Sequence, residues 1–182
     1  MEHFKVAELL YQHGAHVDVQ GRYERTPLYG ASYSRHLKIV QWLLRHGADP
    51  NLPDKSDNRA ALHETAMFGD LVIAQSLIQH NADPNVRDDI GQIPLHFASR
   101  EGKSNVARLL LEQGVDVNTR NKDGSTPLHL ASENGRLEVA RLLIVHGADR
   151  DAEDNKGRTP FQVALRYGRG DIAELLSDDS SQ

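Results

Sequence analysis

Histidine is the residue type in this chain that most readily suggests chemistry, because imidazole binds metal ions and transfers protons. The sequence has ten histidines. His63, His96 and His129 follow one another at intervals of 33 residues. Four more, His13, His46, His80 and His146, share a second recurring position. Side chains that recur once per structural repeat lie too far apart to share one tetrahedral ion. The spacing therefore favours repeated structural roles, and we predict no metal site.

Catalysis would need a nucleophile beside a base, or carboxylates that converge in a pocket. The acidic residues fall mostly at turn positions, where Asx-type hydrogen bonds explain them. Examples are Asp88, Asp116, Asp123, Asp149 and Asp154. The sequence contains no G-x-S-x-G, P-loop or G-x-G-x-x-G motif. It has no cysteine, which excludes disulfides, thiolate catalysis and cysteine zinc sites. We predict no catalytic residue, no cofactor and no enzymatic activity.

Length and composition favour a single water-soluble domain. The chain has 182 residues, of which 38% are hydrophobic and 26% are charged, with a formal net charge of −5. This acidic balance gives no support for binding to nucleic acid or an anionic membrane. No apolar run approaches the roughly 20 residues of a membrane-spanning helix. We expect an intracellular protein, cytoplasmic rather than nuclear.

Two sequence landmarks recur with a period of 33 residues and a single step of 34. The first is Gly-Ala or a close variant, at positions 14, 47, 81, 114 and 147. The second is Thr-Pro-Leu-His or a variant, beginning at positions 26, 60, 93, 126 and 159. The one extra residue lies between Leu52 and Arg59. A fixed period of this length is typical of solenoid proteins.

Each period is predicted to contain a turn and two short helices. Thr followed by Pro is a typical helix start, since Thr caps free amides and Pro has none to leave unpaired. The leucine or phenylalanine after Pro is expected to point inward, and the small residue that follows to permit close helix packing. These positions are Leu28, Leu62, Leu95, Leu128 and Phe161, and then Ala31, Ala66, Ala98, Ala131 and Ala164.

These motifs resemble ankyrin repeats, and the family signature is kept best from Thr126 to Ala131. The resemblance covers the whole chain, and the last two repeats look most like the ankyrin tails of large fungal signalling proteins. It implies an all-α ankyrin-repeat solenoid of stacked helix-turn-helix units with projecting β-turn fingers. It also implies that the signature histidines bond the turn backbone. Asparagines at the positions of Asn51, Asn85 and Asn118 are sometimes hydroxylated in the family, although a structural role in the turn is the favoured interpretation.

We interpret residues 1–182 as one ankyrin-repeat domain. It is divided into a partial repeat at 1–17, repeats at 18–50, 51–84, 85–117 and 118–150, and a C-terminal capping repeat at 151–182. Residues 1–13 are predicted to be a second helix without its first helix, with Val6, Ala7 and Leu10 aligned to Ile39, Val40 and Leu43. We expect a monomer, with self-association through this uncovered half-repeat as the exception.

Some repeats depart from the signature. Ala60-Ala61 lack both the capping Thr and the Pro, and Ile93 replaces the Thr of the next unit. The inserted residue lies just before Ala60. Two interpretations remain open: drift in a non-consensus array, which we favour, or a finger around Pro53 to Arg59 that is reshaped for a ligand.

The predicted function is protein binding without catalysis, with the partner on the concave face formed by the fingers and first helices. The alternative is a structural spacer within a larger protein that binds no ligand of its own. Projection of the family's contact positions gives mainly basic residues in the turns of all repeats, among them Arg59, Arg87, Arg120 and Arg158. Aromatic and apolar residues join them mostly in the N-terminal half. The predicted partner-binding residues are Arg22, Tyr23, Arg25, Tyr33, Arg59, Met67, Phe68 and Ile90.

Overall fold

The computed structural model describes residues 5, 8–9, 11–21 and 25–177. Ten α-helices in these ranges form five pairs, here called units 1 to 5, and no described residue is in a β-strand. The first helices of the units are α1 (Pro27–Tyr33), α3 (Ala61–Phe68), α5 (Pro94–Glu101), α7 (Pro127–Glu133) and α9 (Pro160–Arg166). The second helices are α2 (Leu37–Arg45), α4 (Leu71–Gln79), α6 (Ser104–Glu112), α8 (Leu137–Val145) and α10 (Gly170–Ser177).

Residues before α1 continue the pattern in part. Lys5, Glu8, Leu9, Tyr11 and Gln12 are helical, and the assignment of residues 1–13 to a second helix without its first stays a prediction. The aligned residues Val6, Ala7 and Leu10 lie outside the described ranges, so the predicted packing of this helix stays a prediction.

The starts of the first helices follow the predicted capping chemistry. The hydroxyl oxygens of Thr26, Thr126 and Thr159 each accept a hydrogen bond from the backbone N–H three residues later. Ala60 and Ile93 have no hydroxyl to do this. Their own N–H groups are nevertheless bonded, since they donate to Nδ1 of the histidines three residues on. The departures from the signature thus remove one capping bond and leave the second in place.

The helices stack in two layers. First helices pack on the first helices of neighbouring units more closely than second helices pack on each other. Because the layer of first helices is packed more closely than the layer of second helices, the stack curves towards the first helices. The first helices and the loops before them therefore line the concave side. The loop between a second helix and the next first helix is here called a finger. Fingers 2 to 5 span residues 47–60, 81–93, 114–126 and 147–159.

The core is a continuous row of side chains between the layers. The signature leucines Leu28, Leu62, Leu95 and Leu128 are fully buried, whereas Phe161 in the last unit is only half-buried. The small residue that follows is in one case different from the prediction. In unit 2 it is Thr65 that lies three residues after the leucine, and its hydroxyl bonds the Ala61 carbonyl at 2.8 Å. Ala66 is buried, but it occupies the next position along the helix.

Two turns have a side chain where most units have glycine. Asn81 ends α4 with φ at 66°, as expected for the residue that best replaces glycine in the left-handed region. Arg35 follows α1 with φ at 59°. Its Nε lies 2.5 Å from Asp70 Oδ2 in the next unit. The ion pair therefore links units 1 and 2 at a turn where the other units have glycine.

Candidate functional site

A buried Asp or Asn organises the root of each of fingers 2 to 5. These residues are Asp54, Asp88, Asn121 and Asp154. In each case the side-chain Oδ1 accepts backbone N–H groups within its own finger. The residue's own N–H bonds the carbonyl at the end of the finger, from Asp54 to Arg59 in finger 2 and from Asp88 to Gln92 in finger 3. Each finger is thus a closed loop whose shape is set by one side chain.

The inserted residue lies at the tip of finger 2. The closing bond of this finger spans five residues, from Asp54 to Arg59, and those of fingers 3 to 5 span four. The extra residue therefore falls within positions 55–58. Asn58 supplies the left-handed conformation, with φ at 58°, that Gly91, Gly124 and Gly157 supply in the other fingers.

The larger loop brings two carboxyl groups together. The Asp57 N–H bonds Asp54 Oδ1, and the two carboxyl groups lie close enough to shift each other's pKa. Burial of Asp57 and its interaction with the negatively charged Asp54 raise the pKa of Asp57 to about 6. The positive charge of the nearby Arg59 opposes this shift. Burial acts against ionisation of Asp54 as well. Hydrogen bonds from Asp57, Ser56 and backbone groups outweigh it and lower the pKa of Asp54.

The finger tips are joined to each other by backbone hydrogen bonds. Three bonds at equivalent positions, between 2.9 and 3.0 Å long, connect successive fingers from finger 2 to finger 5. They run from Asp89 N–H to the Asp57 carbonyl, from Lys122 N–H to Ile90, and from Asn155 N–H to Asp123. Arg87 and Arg120 add side-chain bonds to the carbonyls of Arg120 and Glu153 in the next finger.

These contacts change the interpretation of the basic finger residues. From the sequence, Arg59, Arg87, Arg120 and Arg158 form a positive face. In the structure, Arg87 and Arg120 bond neighbouring fingers. Arg158 binds Asp154 through Nε at 2.8 Å and Nη2 at 2.5 Å. Burial opposes ionisation of Asp154, but the bonds from Arg158 prevail and lower the pKa of that carboxyl to about 2. Much of the predicted positive surface is therefore engaged within the fold.

The signature histidines connect each unit to the next. Nδ1 of His63, His96 and His129 accepts the N–H of the residue three positions before it. Nε2, which then carries the proton, donates to the carbonyls of Gln92, Ser125 and Arg158 at 2.9–3.1 Å. Burial lowers the pKa of all three imidazoles, for His96 to about 4. The role that the resemblance implied is thus observed, and each bond also crosses to the following finger.

The other recurring histidines have a local role. Nδ1 of His13, His46, His80 and His146 lies 2.7–2.8 Å from the carbonyl four residues earlier. These contacts lie at the ends of the second helices, and the carbonyls of Leu9, Trp42 and Leu142 also accept the backbone N–H of the same histidine. Within the described ranges, no three His, Asp or Glu side chains come close enough together to hold a metal ion.

Two of the three turn asparagines, Asn51 and Asn118, bond the next unit through their side chains. Asn51 Oδ1 accepts the Asp83 N–H at 2.7 Å, and Asn51 Nδ2 donates to the Asn81 carbonyl at 2.9 Å. Asn118 makes the equivalent pair of bonds to Asp149 and Gly147. The bond within each turn is made by the aspartate two residues earlier, such as Asp49. The side-chain oxygen and nitrogen of Asn51 and of Asn118 are thus both bonded to the neighbouring unit.

The structure brings some of the predicted partner-binding residues together on the first helices. Tyr33 at the end of α1 packs edge-to-face on Phe68 at the end of α3, with ring centroids 5.5 Å apart. The Arg25 guanidinium lies 5.9 Å from the Tyr33 centroid. Met67, beside Phe68, is half-buried against the core. Arg22 and Tyr23 lie outside the described residues.

The other two predicted residues lie farther along the stack. Ile90 is exposed in finger 3, where its carbonyl takes part in the bonds between fingers. Arg59 is mostly covered. Its nitrogens lie 3.0–4.0 Å from carboxylate oxygens of Asp57, Glu64 and Asp88, and its guanidinium carbon lies 4.8 Å from the Phe97 centroid. Arg59 therefore acts mainly as a bridge between units 2 and 3.

A groove of about 500 Å³ lies on the same concave side in units 3 to 5. It runs between fingers 3 to 5 and the first helices, and its lining is mainly polar. The lining includes Gln92, Arg100, Leu130, Lys156 and Tyr167. Of these, only Tyr167 is an exposed aromatic residue. The fingers and first helices thus form a continuous concave face that carries aromatic residues in units 1 and 2 and a polar depression farther along.

The family comparison agrees with this architecture. A family model described as ankyrin repeats (3 copies) matches residues 1–54, 52–121 and 114–182, which together span the whole chain. The chain belongs to the ankyrin repeat family. Compared with curated proteins, the chain matches none. Ankyrin repeats are generally non-catalytic modules that bind other proteins, and this chain forms the all-α solenoid of the family. None of its described helices is long and apolar enough to cross a bilayer.

Sequence reasoning missed the residues beneath the concave face of this ankyrin repeat chain. Tyr29 stands at the position of the signature histidine, and its hydroxyl donates to Glu64 Oε1 at 2.9 Å. Burial and the neighbouring Glu64 raise the pKa of Tyr29. Phe97 lies beneath both Arg59 and Arg100. The signal was available in part, since Tyr29 replaces a histidine in an otherwise regular column.

Proposed function

We propose that this ankyrin repeat chain is a non-catalytic protein-binding module whose partner contacts the concave face. The observation that carries the proposal is the cluster of Arg25, Tyr33 and Phe68 on the first two units. Tyr33 is 49% exposed although it is aromatic, and it packs on Phe68, which is only half-buried. Tyrosine and arginine are enriched among residues that dominate binding energy at protein interfaces.

Met67 and Ile90 extend this surface, and Arg59 supports it from below. We place the strongest contacts in units 1 to 3, because the groove of units 3 to 5 is mainly polar. The proposed protein is an intracellular monomer, since the chain has no cysteine and the units cover most of their apolar surface with one another. It needs neither nucleic acid nor membrane for this role.

A quantitative pull-down with the intact chain as bait tests the proposal. Matched tyrosines distinguish the two ends of the face, because Tyr33 and Tyr167 are 49% and 44% exposed. Val145→Ala serves as the control, since Val145 is an exposed residue on a second helix. A specific partner should be retained by Val145→Ala and Tyr167→Ala and lost by Tyr33→Ala and Phe68→Ala.

Other outcomes would lead to different conclusions. If Tyr167→Ala loses the partner and Tyr33→Ala retains it, the site lies at the C-terminal end. If every variant captures the same proteins as the wild type, the concave face is not the binding surface. The alternative of a structural spacer is then the better account.

A further inference from the structure

Arg25 presents a cation at the surface in a fixed position. Its guanidinium carbon lies 5.1 Å from the Tyr29 centroid and 5.9 Å from the Tyr33 centroid, while 44% of the side chain is exposed. Stacking on aromatic faces restrains a guanidinium and leaves its N–H edge available for hydrogen bonds. Tyr33 in turn contacts Phe68. A positive group thus lies directly beside a small aromatic surface.

The bonding of Arg25 differs from that of two arginines at the same place in their fingers. Arg25, Arg59 and Arg158 each immediately precede the first residue of the helix-start signature. Arg158 is bound by Asp154 through two nitrogens. Arg59 is surrounded by three carboxylates. For Arg25 the described partners are one Asp54 oxygen, 3.4 Å from Nε, and no described residue bonds its two terminal nitrogens.

Asp54 does not depend on this contact. Its Oδ2 accepts the Ser56 hydroxyl at 2.8 Å, and its Oδ1 accepts the N–H groups of Asp57 and Arg59. Asp54 is also fully buried, so it cannot follow Arg25 outward. A second carboxylate arriving from solvent can therefore bind the terminal nitrogens of Arg25, which no described residue bonds, while Asp54 remains in its own hydrogen-bond network.

Gly30 leaves a space in α1 next to Tyr29. It stands at the position that Glu64, Phe97 and Leu130 occupy in the following units, where those side chains are buried. A Cβ on Gly30 would meet no atom within 4 Å. Glycine destabilises a helix interior relative to alanine, and nothing in the described structure requires it here. The space that a side chain fills in other units is thus open to a partner.

We propose that Arg25, Gly30, Tyr33 and Phe68 form a docking surface for a protein segment with an Asp or Glu side chain next to an apolar one. The carboxylate forms a two-point bond with the terminal nitrogens of Arg25. The apolar side chain packs on Tyr33 and Phe68 and reaches towards Gly30. A carboxylate fits better than a phosphate, because a phosphate carries a second negative charge. The buried carboxyls of Asp54 and Glu64, whose charges act on Arg25, would repel that extra charge. This inference rests on the proposed function and specifies the partner's chemistry.

The test is selection of a random displayed peptide library against the intact chain, followed by sequencing and anisotropy measurements with the selected peptides. Enriched peptides should carry Asp or Glu near an apolar residue. Arg25→Gln should weaken their binding about tenfold or more, as expected for loss of an interface arginine. Arg166→Gln makes the same charge change on an exposed residue of α9 and should leave binding unchanged.

Two further variants separate binding from folding. Gly30→Leu should fill the space and weaken binding without lowering the melting temperature. Arg25→Lys keeps the charge but loses the two-point geometry, so it should bind less tightly than wild type and more tightly than Arg25→Gln. Replacing the acidic residue of a selected peptide by phosphoserine should reduce affinity, and tighter binding of the phosphopeptide would overturn the preference for carboxylate.

The remaining outcomes distinguish this inference from the proposed function. If the selected peptides depend on Arg100 and Tyr167 and not on Arg25, the docking surface is wrong, while binding at the concave face stands. If they bind equally to variants at Arg25, Phe68, Arg100 and Tyr167, both proposals fail. Peptides that lack acidic residues yet depend on Tyr33 would overturn only the assigned chemistry.

Discussion

The hydroxyl of Tyr29 donates a hydrogen bond to Glu64 Oε1 at 2.9 Å, across the interface between units 1 and 2. At the next three interfaces, the residue at the position of Tyr29 is a histidine that bonds a backbone carbonyl. The first interface also contains the ion pairs of Arg25 with Asp54 and Arg35 with Asp70. Besides the shared apolar core, unit 1 is therefore attached through side-chain bonds to carboxylates, whereas the later units are joined through imidazoles.

Removal of the Tyr29 hydroxyl should weaken the first interface. Tyr29→Phe leaves the buried Glu64 carboxylate without one donor, which costs about 1–3 kcal/mol. Urea-induced unfolding followed by circular dichroism measures the change. Tyr33→Phe is the control, because that hydroxyl belongs to an exposed side chain and its loss should change stability by at most about 0.5 kcal/mol. Equal effects of the two substitutions would show that the Tyr29–Glu64 bond contributes nothing specific.

The buried histidines should make the fold sensitive to acid. Burial lowers the pKa of His96 to about 4, while the unfolded chain has the ordinary value near 6.5. The unfolded state thus binds a proton below pH 6.5 that the folded state takes up only near pH 4. The contribution of the neutral His96 to the free energy of unfolding is therefore fully present above pH 6.5 and is lost as the pH decreases towards 4. The lowered pKa values of His63 and His129 act in the same direction.

His96→Gln tests this cause of acid sensitivity. In unit 5, Gln162 occupies the position of the histidine, and its Oε1 accepts the Thr159 N–H at 3.1 Å. Glutamine at position 96 should therefore keep the bond to Ile93 but lose the one to Ser125. We expect lower stability at pH 7.5, by about 1 kcal/mol, and a smaller decrease in melting temperature between pH 6.5 and 4.5. An unchanged pH dependence would contradict the assignment.

Two finger glycines should respond differently to the same substitution. Gly124 and Gly157 have φ values of 75° and 67°, so alanine is strained by about 1–2 kcal/mol at either position. A Cβ on Gly124 would also lie 2.8 Å from the Asn155 backbone nitrogen, whereas one on Gly157 has only Glu153 Oε2, 4.0 Å away. Thermal denaturation should show Gly124→Ala to be the less stable variant, by about 1–3 kcal/mol. Similar melting temperatures would mean that fingers 4 and 5 are not in close contact.

Leu128→Ala should remove a central part of the core. Leu128 is fully buried in the unit with the best-kept signature, and leucine-to-alanine changes at such sites cost about 2–5 kcal/mol. Leu165→Ala makes the same change at an exposed position of α9 and should have little effect. The free energy of unfolding from urea titrations gives both values. A Leu128→Ala variant as stable as Leu165→Ala would be incompatible with the observed packing.

The sequence predicted the parts of the structure that repeat. Leu28, Leu62, Leu95 and Leu128 were identified as core residues because a fixed period requires them to meet the same environment in each unit. The histidines were predictable for the same reason. For unit 2 the sequence predicts Ala66 as the small residue, whereas Thr65 lies three residues after the leucine and both side chains are buried.

The surface was less predictable because its charges are used between units. Arg87 and Arg120 are assigned to a binding face by their position, but their partners are carbonyls in the next finger, and no local pattern encodes that contact. The same applies to Arg59, whose three carboxylate partners come from three separate segments. The predicted cluster of Arg25, Tyr33 and Phe68 is brought together in the structure, and its role in binding stays a proposal.

The bonds from the histidines all point the same way along the stack, from His63, His96 and His129 to the carbonyl of a later finger. Deleting the units before an interface and deleting the units after it therefore have different consequences. Deleting the units before the interface exposes a carbonyl oxygen that water can solvate at the new surface. Deleting those after it leaves the Nε2–H group of the histidine without its acceptor. The solenoid thus has a chemical polarity, and shortened versions should be more tolerant of trimming from the N-terminal side than from the C-terminal side.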